Sequence, residues 1–159
     1  LALLIFTWSL IALTLIDFDH QLLPDNITLP LIWLGLLVNT LDLGFGVTLR
    51  DAVIGAIAGY LVLWAFYWAF KLATGKEGMG YGDFKLLSAL GAWMGWQSLL
   101  PTIILSSLVG AVIGIGMIVL RGRDKSAPMP FGPFLAGAGF IMIIWGPQLS
   151  AFYMDNIVG

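Results

Sequence analysis

Six apolar runs, divided by short charged segments, leave this chain few ways to fold. They are roughly Leu1–Ile16, Ile27–Leu43, Ala52–Phe70, Phe84–Trp96, Leu99–Leu120 and Phe131–Phe152. An apolar run of about 20 residues spans the hydrocarbon of a bilayer as a helix, because no water is there to satisfy an open backbone. With 60% hydrophobic residues, 10% charged residues and a mean hydropathy of +0.98, the chain has too little charge to cover a soluble core of this size. The expected fold is an all-α, polytopic membrane bundle of about six transmembrane helices, with residues 1–159 forming one domain. The fourth run is too short to cross about 30 Å at about 1.5 Å per residue. We expect it to begin part-way into the membrane, shielded by its neighbours or lining a wet cavity.

The composition also removes several function classes. A net charge of −2, scattered along the chain, gives no basic surface for nucleic acid. With no cysteine there is no disulfide, thiolate zinc site or thiol nucleophile, and His20 alone cannot build a histidine metal site. No metal and no cofactor are expected. The chain starts inside an apolar run without methionine or a basic leader region, so the run is not expected to be a signal peptide. The N-terminal part of the parent protein is expected to be missing.

Lysines and arginines set the expected orientation. The odd-numbered connections hold Lys71, Lys76, Lys85, Arg121, Arg123 and Lys125 at their edges, whereas the even-numbered ones hold Arg50 alone. Positive charge stays on the cytoplasmic side. The first, third and fifth connections are therefore expected there. The spaced pairs Gly55…Gly59, Gly91…Gly95 and Gly110…Gly114 allow backbones to approach, and we expect them to serve packing before any dimer face. Trp33, Trp93, Trp96 and Trp145 are read as interface and packing residues.

Two acids stand apart. Asp17 closes the first apolar run and Asp83 closes the segment Gly78-Met79-Gly80-Tyr81-Gly82. A carboxyl at the edge of hydrocarbon is costly unless it is paired, hydrated or functional. Two of them on the same membrane face suggest an aspartyl site sharing a proton. Asp19 lies about 200° around a helix from Asp17 and is the weaker candidate. Asp25, after Pro24 and before an apolar run, reads as a helix cap, and His20 as a surface histidine. The glycines before Asp83 match neither nucleotide-binding loop pattern, but they leave bare backbone where a substrate strand or helix can come close. Asp83 is expected at the N-cap of Phe84–Trp96, where free amides favour its ionised form, with Asp17 the more desolvated partner. One acid would accept a proton from water while the other protonates the scissile carbonyl. Lys85 is either an anchor on the positive side or a counter-charge steadying the carboxyls. Pro128–Pro133 reads as a rigid loop starting the last helix.

At these positions the chain resembles the type IV prepilin peptidases, a branch of the GxGD intramembrane aspartyl proteases. The residues that carry the resemblance are Asp17 with Pro24 seven positions on, Gly80-Tyr81-Gly82-Asp83-Phe84-Lys85, and Pro128-Met129-Pro130-Phe131-Gly132-Pro133. The resemblance implies an aspartic endopeptidase of the bacterial inner membrane, with its active site facing the cytoplasm. It would remove the basic leader from prepilins or pseudopilins for a type IV pilus or a secretion system. It implies Asp17 and Asp83 as the catalytic pair, with Asp19, Gly80, Gly82, Lys85 and Pro24 supporting the site or the substrate. Asp19 and Asp25 are candidate contacts for the leader. Many members also methylate the new N-terminus through a region that often carries a four-cysteine zinc site, and these 159 residues do not support that step. A proton-coupled transporter is the alternative; it would place acids near the bilayer midplane within an inverted repeat.

Overall fold

The computed structural model describes residues 2–20, 24–43, 46–75, 81–121 and 132–153. Each of the six apolar runs forms a helix: α1 (Ala2–His20), α2 (Asp25–Thr40), α3 (Leu49–Thr74), α4 (Tyr81–Met94), α5 (Leu99–Arg121) and α6 (Gly132–Tyr153). A single 3₁₀ turn, Trp96–Ser98, joins α4 to α5. No strand occurs among the described residues. The stretches Leu49–Thr74 and Trp96–Leu120 are long and apolar enough to cross a bilayer, and α1 and α6 hold shorter apolar stretches.

The outward faces are as apolar as the core. On α1, Leu4, Trp8, Ile11 and Leu15 recur at helical spacing along an exposed stripe, and Leu29, Trp33 and Leu37 do so on α2. Such stripes belong against lipid. The inward stripe of α1 is Phe6, Leu10, Leu13 and then Asp17, all buried. The same periodicity that points three apolar side chains inward therefore delivers a carboxyl to the interior at the helix's last turn.

α4 has no outward face over most of its length. From Phe84 to Trp93 every residue except Lys85 is buried, with α3 and α2 as its main neighbours. The α3–α4 contact is made backbone to backbone. A Cβ added at Gly59 would come within 2.7 Å of the Leu87 carbonyl, and one added at Gly91 would strike the carbonyl of Gly55. Ser88 Oγ donates across the same seam to the Ala56 carbonyl at 2.7 Å. The expected packing glycines thus serve contacts within the chain, and Gly110 does likewise, lying under the Phe134 ring of α6.

A helix of 14 residues, about 21 Å long, must end inside the bundle, where its last four carbonyls lose their helical partners. Each finds one here. Gly95, at φ 86°, turns back so that its N–H donates to the Gly91 carbonyl at 2.8 Å. The buried Asn39 of α2 donates through Nδ2 to the carbonyls of Ala92 at 2.7 Å and Trp93 at 3.3 Å. Ser98 Oγ reaches the Met94 carbonyl at 3.3 Å. Asn39→Leu would strip two buried carbonyls of their donor, and we expect a loss of about 2 kcal/mol. Reversible unfolding in mixed micelles measures it; a change near zero would mean that water replaces the side chain.

Candidate active site

α1 packs mainly on α6 and α2, and a ring contact to α4 shows where the acids meet. The rings of Phe6 and Trp93 lie 5.0 Å apart. From there Asp17 is eleven residues along α1 and Asp83 ten residues back along α4, about 16 and 15 Å respectively in helical rise. The two helices run antiparallel, so both paths lead to the same level, and the two carboxyls lie within electrostatic reach of one another. Both are buried, at 5% and 7% exposure. This near-equality does not support the expectation that Asp17 is the more desolvated partner.

A third element enters from α6. The backbone N–H of Gly132, its first residue, donates to the Asp17 carboxyl. Pro133, which follows, has no N–H to offer, so the start of the helix presents Gly132's amide to the acid. Asp17 Oδ2 remains buried without a hydrogen-bond partner among the described residues. Of the late proline-rich segment, Gly132 and Pro133 thus lie at the site; residues 128–131 fall outside the described residues. The expected rigid loop therefore cannot be placed beyond Gly132 and Pro133, and the sequence reading missed that the first amide of α6 would touch an acid. A glycine just ahead of a helix-starting proline was the available signal.

Several expected placements change. Asp83 does not cap α4: the helix already includes Tyr81, and Asp83 sits in its first turn. Asp25 likewise is the first residue of α2; the N-cap is Pro24, whose carbonyl accepts from the N–H groups of Ile27 and Thr28, both at 3.1 Å. Pro24 therefore starts α2. Asp19 is exposed on α1, consistent with its position around the helix. The partner of Lys85 is Asp25, its Nζ lying 2.6 Å from Oδ1, so the counter-charge it supplies goes first to Asp25. Gly82 lies in the first turn of α4 beside Asp83. Gly80 and the side chain of His20 fall outside the described residues.

Two helices run on past the level of the acids. Phe84 makes edge contacts with Tyr60 and Tyr67 of α3, each with ring centroids 5.6 Å apart, which places Asp83 near the level of Leu63. α3 continues from Leu63 to Thr74, about 15 Å further. On the other side Phe134, in the first turn of α6, packs at Gly110 of α5. α5 runs on from there to Arg121, again about 15 Å. Near the end of the α3 extension, Lys71 Nζ lies over the rings of Tyr67 and Trp68, at 5.7 and 5.2 Å from their centroids. That is the aromatic–cationic composition of a membrane interface.

Two acids from separate helices meet in a buried site beside a glycine-flanked first turn, and the residues around them match a family model. The model is the type IV leader peptidase family, matched over residues 4–115. This chain belongs to that family. Among curated relatives, a prepilin leader peptidase/N-methyltransferase of Aeromonas hydrophila is 63% identical over 158 residues, covering 99% of this chain and 54% of the relative. One of the same name from Pseudomonas aeruginosa is 58% identical over 154 residues, covering 97% of this chain and 52% of the relative. A third, from Dichelobacter nodosus, is 51% identical over 152 residues, covering 94% and 50%. The chain spans about half the length of the curated relatives it matches. No solved structure matches it. For a leader peptidase family chain, the six-helix membrane bundle and the paired acids form one consistent arrangement.

Proposed function

We propose that this chain is the peptidase part of an intramembrane aspartyl endopeptidase that removes the leader of type IV prepilins or pseudopilins. Asp17 and Asp83 are its catalytic pair. The single observation that carries the reading is the convergence of these two buried carboxyls from antiparallel helices, with Asp17 Oδ2 left without a partner among the described residues. One carboxylate accepts a proton from a water molecule as its oxygen attacks the scissile carbonyl. The other, protonated, donates to the carbonyl oxygen. Collapse of the tetrahedral intermediate breaks the C–N bond, and a proton returned to the leaving nitrogen frees the new N-terminus. The proton belongs to the coupled pair, so neither acid has a fixed role. The Gly132 amide holds Asp17 in place, and Gly82 leaves the backbone beside Asp83 bare for substrate.

The six-to-one bias of basic residues supports a cytoplasmic face for the site, and the family supports the bacterial inner membrane. Gly80 stays a candidate for substrate approach, and Asp19, exposed near the site's end of α1, for contact with the leader. The test uses the full-length protein in proteoliposomes with a prepilin, identifying products by mass. Release of the intact leader at one peptide bond is expected, with no proton flux across the membrane. Proton flux without cleavage would replace this reading with a transporter.

A further inference from the structure

The ion pair between Asp25 and Lys85 joins residues 60 apart in the chain. Its place in the fold is more informative than its strength. Asp25 is the first residue of α2. Lys85 lies in the second turn of α4, two residues past Asp83 and so about 200° around the helix from it. Asp83 faces α1, and Lys85 faces the start of α2. The lysine is 25% exposed and the aspartate 56%, and ion pairs this accessible contribute little to stability.

What holds the rest of α4 does not hold its first turn. The glycine seam with α3 is bare backbone at Gly91 and Gly59, and the Asn39 bonds grip the far end. Trp93 Nε1 donates to the Leu31 carbonyl at 2.9 Å, again towards the far end. Near Asp83, Phe84 is wedged between Tyr60 and Tyr67. Those are edge contacts between rings. Among the described residues, the charged contact at 2.6 Å ties the start of α2 to α4 within one turn of Asp83. It resists both rotation of α4 about its axis and fraying of its start, either of which carries Asp83 away from Asp17.

We propose that Asp25 and Lys85 are a positioning pair: a clasp across the α2–α4 interface that sets the angle of Asp83 towards Asp17. Neither is a catalytic residue. The proposal rests on the aspartyl reading of the site, and its test separates the two. The full-length protein is reconstituted as wild type, Asp25→Asn, Lys85→Gln, and the charge-exchanged double variant Asp25→Lys with Lys85→Asp. Each single variant is expected to lower kcat by about tenfold with KM within about twofold, the signature of a misplaced reacting group rather than lost binding. The exchanged pair is expected to recover to within about threefold of wild type. A second readout needs no catalysis. These 159 residues hold no cysteine, so Asp17→Cys with Asp83→Cys introduces one thiol pair within them for a short bifunctional thiol cross-linker. Cross-linking is expected to fall severalfold when Lys85→Gln is added and to return in the exchanged background. Unchanged cross-linking in Lys85→Gln overturns the clasp, as does an exchanged pair no better than the worse single variant. Loss of KM alone in the single variants also overturns it, since the pair would then contact substrate. If the cysteine pair cross-links as described, with the loss and recovery expected, but the wild type cleaves no prepilin, the aspartyl reading falls and the clasp stands.

Discussion

Asp17→Asn and Asp83→Asn each lower leader cleavage by about 10³-fold or more, while Asp19→Asn stays within about threefold of wild type. The size follows from the division of labour. An amide can neither take the proton of an attacking water nor donate one to a carbonyl with a carboxylic acid's strength, so each variant removes one half of the proton traffic. The two losses should not multiply: the double variant is expected to be about as inactive as either single one, because the acids act as a unit. Each asparagine is nearly isosteric with the aspartate it replaces, so folding should survive, which the thermal midpoint checks. Asp19, exposed and turned away from the pair, is the internal control. A bell-shaped pH dependence of kcat in wild type, reduced to one limb or none in the residual activity of the variants, would complete the case. Cleavage by either single variant near the wild-type rate would falsify the dyad.

Gly91→Leu has the largest effect expected on the fold. A Cβ at this position would already strike the Gly55 carbonyl and lie 3.0 Å from the Gly55 Cα. The obstacle is backbone, so no rotamer change relieves it, and α3 and α4 must separate. The expected loss is about 3 kcal/mol or more, at or above the upper range for overpacking in a well-filled core. Gly91→Ala should lose less but still clearly destabilise. Gly116→Ala provides the contrast, since an added methyl there meets nothing within 4 Å; it should be neutral within about 0.5 kcal/mol. Unfolding midpoints of the three variants in one detergent give the order directly. Equal midpoints for Gly91→Leu and Gly116→Ala would mean that the α3–α4 seam is not close-packed in the membrane.

The helices were legible in the chain because each apolar run is bounded by charge, proline or glycine, and the shortness of α4 was legible from its length. The inward position of Asp17 follows from continuing the Phe6, Leu10, Leu13 stripe by one turn, so that acid was visible as well. Cap positions were not, since residues one to three places from a helix start carry the same composition whether they lie inside or outside it; Asp25, the first residue of α2, and Asp83, the third of α4, were both read as caps. Partner choice was also hidden. Lys85 could pair with any acid on its side of the membrane, and the sequence does not show that a rotation of about 200° turns it from Asp83 to Asp25. Asn39, inside the second apolar run, was not singled out. Its role depends on the end of a helix more than fifty residues later, which becomes visible only when α2 and α4 are placed side by side.

The overhang of α3 and α5 sets a minimum reach. A peptide arriving from the level of Thr74 and Arg121 has to travel about 15 Å before a bond lies between Asp17 and Asp83. At about 3.3 Å per extended residue this takes about five residues, and a helix would need about ten. On the side lined by α3 and α5, short peptides that carry the right bond within two or three residues of a bulky head group are expected to be cleaved slowly, which a length series of leader peptides measures. The two long helices then gauge length on that side of the site, independently of any side chain that reads the substrate.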